Sequence, residues 1–429
     1  MDEYRKAVGG SGGCRFLLSA LVAQLQAPAS FSLTCDLPNE AVLLTEKTTV
    51  TLKNIAISVR LFLVLLEKTR VTVGESFSIT KYARNEDCIR EHGMAGNGLF
   101  YLGGFGAVPR LALENIERML PNSIGCVLRE VYLFDTGLIN ILPKLGISED
   151  SVIEEFKLVA SEEEHVAGIL KQKNPFCVGR VKKMWLLGYA VGVITKMSLK
   201  DCEFEYLELS ATRREHVAEV LKQERPFCLG RVKTMWLEGY AVGVITKMSL
   251  KDCEIESLIL YATRKEYINE ILKQENPFCV GRVKNMYLWV YAASVITKMT
   301  IHGDNTMENF VLVGNEDQLS KIIGEGDNSI DLGRIRTDGL RVPERIKRKL
   351  RYTLVDGEGK EVLEEEITTS DGEGKEVLEE ERWTSIYALV DGEGEEVLEE
   401  ESDEEVLEER DKSKWWRRMW CGCDEEERF

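Results

Sequence analysis

The chain has 429 residues and a formal net charge of −18, long enough for two or three domains or one extended array. Between Asp356 and Asp411 there are 25 acidic and 4 basic residues, so that segment carries −21 and the rest of the chain +3. No basic body is left for nucleic acid, which is not expected as a partner, and no apolar run reaches about 18 residues without a charge, because Arg60 interrupts the best one. No membrane-spanning helix is expected.

Residues 1–40 read as a flexible N-terminus or a weak signal segment. A short apolar run, Phe16 to Ala23, follows Arg5, Lys6 and Arg15, and Gly9 to Gly13 has linker composition. From Ala41 to Ile79 the text alternates, in TTVTLKNIAI and RVTVGESFSI, and predicts several strands. Residues 41–110 are therefore expected to form a β-rich N-terminal cap. The glycine-rich run from Gly96 to Gly106 lacks the GK[ST] of a phosphate loop and predicts a turn-rich connection.

Residues 111–340 repeat. Pro175, Pro226 and Pro277 are 51 residues apart and each belongs to the same block of text, the signature of stacked units. Each block opens with a predicted helix. Ser161, Thr212 and Thr263 precede Glu164, Glu215 and Glu266 by three residues, as in a capping box. Apolar faces follow at Val166, Ile169 and Leu170, at Val217, Val220 and Leu221, and at Ile268, Ile271 and Leu272, and the prolines end them. A worn copy precedes, with Ile116 and Leu120 as its helix face, and another follows, with Asn315 and Gln318 as a capping box.

After each proline the period becomes that of strands. Val232, Met235, Leu237, Tyr240 and Val242 have the spacing LxxLxLxxNxL, and Ile255, Leu258, Leu260 and Thr263 begin it again. On these residues the chain resembles a divergent leucine-rich repeat protein, which implies an α/β solenoid of strand-helix units with its strands on one concave sheet. The distances fit two units per block: Met235 to Leu258 is 23 residues, and Leu258 to Met286 is 28. A competing register, Ile245, Met248, Leu250, Cys253 and Ile255, starts too soon for another unit and implies either a strand on the far side of the coil or a different fold. In style the duplicated, cysteine-sprinkled blocks also resemble uncharacterised leucine-rich-like multigene families of microsporidian parasites, which implies host-facing interaction.

Cys177, Cys228 and Cys279 share one repeat position and Cys202 and Cys253 another, which predicts reduced thiols in the core. Lys196, Lys200 and Asp201 recur as Lys247, Lys251 and Asp252 and are read as surface residues preserved by recent duplication. Residues 341–355, with Pro343 at a helix start and Arg345, Lys347, Arg348 and Lys349, predict a basic terminal helix with a solvated face. Residues 356–429 form an acidic low-complexity tail whose three DGEG sequences suit disorder or hairpin turns, ending in KWWRRMWCGC, a membrane-interface or docking candidate. DGEG is no calcium loop, because the fifth, sixth and twelfth positions from Asp356 are Lys360, Glu361 and Ile367.

No catalytic, metal or cofactor motif is found. His165 with Cys177 and His216 with Cys228 are read as exposed histidines and buried thiols. In the leucine-rich register Met235 and Leu237 point inward and Trp236 outward, so Trp185, Trp236 and Tyr287 form an aromatic column on the concave face. The positions that vary between copies, Lys183, Thr234 and Asn285 with Leu187, Glu238 and Trp289, flank it. That pattern predicts a non-enzymatic scaffold that binds a protein partner. An acidic tail that binds basic partners such as histones is the alternative, and an enzyme without recognisable motifs the second.

Overall fold

The computed structural model describes residues 27–36, 42–81, 88–93 and 100–362; the signal-like run, most of the acidic tail and the Trp/Arg/Cys end lie outside them. One turn of the chain shows how the fold is made. Residues Arg231–Gly239 form a strand in which Val232, Met235 and Leu237 are buried while Lys233, Trp236 and Glu238 face away. Tyr240–Lys247 then tightens into a 3-10 helix that buries Val242, Val244 and Ile245, and the chain returns to a second strand, Glu254–Ala262, parallel to the first. A longer return follows, through a 3-10 turn and one helical turn, Asn269–Leu272, that bury Ile268 and Ile271. Residues Arg282–Val290 then pair parallel to the second strand.

Repetition of these two returns gives an α/β protein dominated by parallel sheet. Its main sheet has ten strands: β1 (Phe100–Phe105), β2 (Leu128–Phe134), β3 (Val152–Ala160), β4 (Arg180–Gly188), β5 (Glu203–Ala211), β6 (Arg231–Gly239), β7 (Glu254–Ala262), β8 (Arg282–Val290), β9 (Asn309–Val313) and β10 (Leu340–Arg341). They lie side by side in chain order, every pair parallel. The register joins Met184, Leu207, Met235, Leu258 and Met286 in one buried row, which is the 23 and 28 alternation predicted from the sequence. The competing register resolves with it. Met248 makes a bridge with Phe227 on the far side of the coil, as Met197–Ser198 does with Phe176–Cys177, and only Ile255 belongs to the main sheet.

The helical segments pack their apolar residues into the core shared with Met235 and its row. They are shorter than the capping boxes predict: each is a 3-10 turn followed by four α-helical residues, capped at Glu162, Arg213 and Arg264 with no Ser or Thr side chain as cap acceptor. A reciprocal box forms in the worn copy, where Asn315 Oδ1 accepts from the Gln318 N–H at 3.0 Å and Gln318 Oε1 from the Asn315 N–H at 2.8 Å. Leu120, expected on a helix face, is exposed beyond the end of its helix.

At their C-terminal ends the helical turns are tied to the next coil by lysine. Lys144 donates to the Met119 carbonyl at 2.6 Å, and Lys196, Lys247 and Lys298 donate at 2.8 Å to the carbonyls of Gln172, Gln223 and Gln274. Lys349 repeats the bond to the Glu325 carbonyl at 2.7 Å. Each ammonium sits where a helix end leaves carbonyls unsatisfied and carries partial negative charge. Lys196 and Lys247 are thus joints between coils, not surface residues. The expected short terminal helix is there, Glu344–Lys347 after Pro343 with Ile346 buried, but its basic run is not all solvated: Lys349 is buried as one more joint, and the block pattern continues to Leu350–Val355.

The N-terminal residues are β-rich but not only so. The strands Thr49–Leu52, Ile55–Ser58, Arg70–Val73 and Ser78–Thr80 fall on the predicted alternating text. Between them lies an unpredicted helix, α1 (Val59–Lys68), whose Ser58 Oγ accepts from the Leu61 N–H and whose Phe62, Leu65 and Leu66 form a buried stripe. A second helix, α2 (Arg110–Arg118), is bonded to the end of α1 through buried Asn115, which accepts from the Val71 N–H and donates to the carbonyls of Leu66 and Thr69. The glycine-rich run is no turn in its second half, since Phe100–Phe105 is the edge strand of the main sheet. At the other end Thr306–Met307, Ile330–Arg336 and Leu350–Val355 form a separate three-stranded parallel sheet, and the first DGEG turns the chain back on it, with Asp356 Oδ1 accepting from the N–H groups of Glu358 and Lys360.

All described cysteines are free, but the core reading holds for one only: Cys202 is buried, Cys177, Cys253 and Cys279 are half-buried and Cys228 is exposed. Cys177 Sγ and Cys279 Sγ accept from the N–H groups of Gly179 and Gly281 at 3.3 and 3.5 Å. Loss of a lysine joint should be measurable. Lys247→Met keeps the stem and removes the charged bond, and urea titration is expected to show about 2 kcal/mol lower stability; an unchanged midpoint would mean that the joints are incidental.

Candidate functional site

Parallel strands in register turn a one-dimensional text into rows. Counting residues that face away from the core, the central row of the main sheet reads Gly103, Tyr132, Lys157, Trp185, Glu208, Trp236, Ile259, Tyr287 and Val311. One row beside it carries Glu155, Lys183, Tyr206, Thr234, Ser257, Asn285 and Asn309, and the other Phe134, Val159, Leu187, Ser210, Glu238, Tyr261 and Trp289. All nine residues singled out from the sequence therefore lie on one face, opposite the buried Met and Leu rows.

Trp185, Trp236 and Tyr287 share the central row but are not neighbours in it. Those three sit on β4, β6 and β8, and strands two apart are about 9.6 Å apart. Glu208 of β5 and Ile259 of β7 stand between them. The ring that joins the aromatics is Trp289, 5.7 Å from Trp236 in a T-shaped arrangement and 6.2 and 6.4 Å from Tyr261 and Tyr287. Trp185 instead packs beside Tyr206 at 5.7 Å.

Polar groups on this face are paired closely. The Tyr206 hydroxyl donates to Glu208 at 2.9 Å, Ser210 to Glu238 at 3.1 Å, Tyr132 to Glu155, and Lys183 lies 3.6 Å from Glu155. Asn309 donates to the Asn285 side chain at 2.7 Å, while Thr234 is half-buried between Tyr206 and Ser257. Lys157 is 7% exposed, with its ammonium 5.6 Å from the Phe134 ring and 5.8 Å from the Trp185 ring. Burial lowers its pKa, against the pull of Glu208 and Glu155. Burial likewise pushes the Glu208 carboxyl above its usual range and Glu238 adds to the push, while the Tyr206 hydroxyl and Lys157 hold it back.

Lys157, Glu208, Tyr206 and Tyr132 escaped the sequence reading. They belong to the strands that carry no tryptophan in the duplicated text, and only the 28 and 23 residue steps back and forward from Trp185 would have reached Lys157 and Glu208.

Trp289 is followed by a strained residue. The last residue of β4, β6 and β8 has positive φ, at Gly188, Gly239 and Val290. At Gly239 the backbone is at φ 64°, ψ −134°, and a Cβ there would lie 2.3 Å from the Ala211 carbonyl oxygen; Val290 adopts φ 60°, ψ −129° with a branched side chain. That region is open almost only to glycine and costs another residue about 1–3 kcal/mol. Val290→Gly is expected to raise stability by about 1 kcal/mol after the extra chain entropy of glycine, checked by urea titration.

The second histidine-cysteine pair inverts the expectation, with His216 buried and Cys228 exposed, while His165 and Cys177 are both half-buried. His216 Nδ1 accepts from the Arg213 N–H at 3.4 Å, its Nε2 is buried without a hydrogen-bond partner, and its ring meets Tyr189 at 4.6 Å. Burial, reinforced by Arg213 and opposed by Glu215, lowers its pKa to about 4 from 6.5. Below pH 6.5 the unfolded chain takes up a proton that the folded one refuses until about pH 4. Stability from this group is thus complete above 6.5 and lost as pH falls to 4. In the next block Tyr267 meets Tyr240 at 4.7 Å and the same 63° angle, so His216→Tyr should fit. It is expected to remove roughly 1–3 kcal/mol of acid destabilisation in that window, read from unfolding at pH 7 and pH 4.5.

Compared with known protein families, curated proteins and solved structures, the chain matches none of them. Among the described residues no helix is long and apolar enough to cross a membrane.

Proposed function

We propose that the coils stack as a leucine-rich-repeat-like solenoid and that the protein is a non-enzymatic scaffold, recognising a protein partner on the sheet face that carries Trp185, Trp236, Tyr287 and Trp289. The observation that supports this reading most is their placement: half-buried aromatic rings from β4, β6 and β8 lie on one face, those of β6 and β8 in contact through Trp289, among polar residues that differ between otherwise duplicated blocks. Rigid aromatic side chains with few rotamers to lose supply most of the energy at protein interfaces, and variable neighbours supply the choice of partner.

A second reading has one observation in its favour, the net charge of −21 between Asp356 and Asp411, which suits basic partners such as histones. Affinity capture separates the two. The intact chain, Trp236→Ala/Trp289→Ala and a chain ending at Val362 serve as baits. Loss of partners in the double variant and their retention without the tail is expected. Partners kept by the double variant and lost on truncation would move the function to the acidic segment.

A further inference from the structure

A strand in a parallel sheet directs the N–H and C=O of alternate residues to opposite sides. Just past β1 the Gly106 N–H donates to the Phe134 carbonyl of β2, so Leu102 and Gly104 aim their main chain at β2 while Tyr101, Gly103 and Phe105 aim theirs the other way. On that side the main sheet has no further strand among the described residues. The two ends of the sheet stop differently. β10 is two residues long, its Arg341 is exposed and Pro343 follows, all features that keep an edge from pairing. β1 is six residues long and carries neither charge nor proline, and past an irregularity at Phe100 its register is regular from Tyr101 to Phe105. On the outward face Tyr101 is 46% and Phe105 66% exposed, with Phe105 stacked on Phe134 at 5.2 Å. Gly103 and Gly104 are half-exposed, and having no side chains they expose main chain.

We propose that β1 pairs antiparallel with β1 of a second copy of this chain, about a two-fold axis at Gly103, joining two main sheets into one. The register is self-complementary. Gly103 stands opposite itself and Tyr101 opposite Phe105 of the other copy, and these are the residues whose N–H and C=O point to the open side, so each pair exchanges both hydrogen bonds. Aromatic cross-strand pairs of this kind stabilise a sheet. Toward the core Leu102 meets Gly104 of the other copy, a large side chain against none. A slip of one residue would set outward positions against inward ones. Side chains of this size present about 200 Å² each, so the exposures of Tyr101 and Phe105 leave about 220 Å² per copy and about 450 Å² for the pair. That is a small interface. The dimer is therefore reversible and depends on the main-chain pairing, with a dissociation constant on the order of 30 μM. The pairing uses none of the residues assigned to partner recognition, so either can fail without the other.

The test uses the intact chain in about 0.3 M salt, which screens the acidic segment. Sedimentation velocity is run at about 2 and 200 μM, either side of the expected dissociation constant, on wild type, Phe105→Lys and Leu120→Lys. Leu120 is 72% exposed outside β1 and controls for replacing any exposed apolar residue. Wild type is expected to pass from monomer to dimer over that range. Phe105→Lys sets a charge against Tyr101 of the other copy and is expected to weaken the dimer at least about tenfold, whereas Leu120→Lys leaves it unchanged. Hydrogen exchange on wild type needs no variant to fold: the peptide covering Phe100 to Gly106 is expected to exchange more slowly at the higher concentration. A wild type that stays monomeric at the higher concentration overturns the proposal, as do species larger than a dimer. So does a dimer that Phe105→Lys leaves intact, or one that forms without slowing exchange in that peptide.

Discussion

A parallel strand cannot satisfy its own backbone, and that constraint governs the molecule. Each strand of the main sheet exposes N–H and C=O groups that only the strands on either side can pair, and each helical turn has an apolar stripe that only a neighbouring coil can cover. The chain answers with one repeated geometry, in which every strand finds its partner 23 or 28 residues away in the clearly duplicated blocks. On the back of the sheet the lysines at 144, 196, 247, 298 and 349 solve a second problem of the same kind, the unsatisfied carbonyls where short helices end. Apolar packing holds neighbouring segments together, and the strand register and lysine bonds fix where.

What could be read in advance follows from this division. Buried rows are legible because Met235, Leu237, Leu258 and Leu260 must be apolar and must recur at the pairing distance. The lysine joints were visible as letters and misread, since a lysine recurring after duplication looks the same whether it faces water or a carbonyl. Helix α1 was hidden because Val59 to Leu66 lies between strand texts and contains β-branched residues. The capping boxes misled because the side chains that fit the motif were not the acceptors: Arg213 and Arg264 stand at the helix starts, and the first turn is wound as 3-10 helix.

The outward face obeys different rules from the core. No packing constraint demands that Trp185, Glu208 and Trp236 be what they are, and their strands would pair equally well with other side chains there. Only register converts positions 23 or 28 apart into neighbours, which is why the sequence yielded the tryptophans but not the carboxylate between them. Val290 belongs to the same account. Where two earlier blocks place glycine at the end of the strand, the third places a valine in a backbone conformation that disfavours it, directly after the ring that joins Trp236 to Tyr287.

The alternation of short and long returns has an implication for how such a chain can change. A whole 51-residue block begins and ends at the same point of the coil, so exchange between misaligned copies would add or remove two strands without breaking any pairing. Glu208 with Trp236 form one such increment. Loss of it would seat Trp185 beside Ile259 and take Glu208 out of the row, while the interior would hardly register the event. Interior and exterior thus evolve on separate terms: the first tolerates shuffling of whole modules, and the second is rewritten by it.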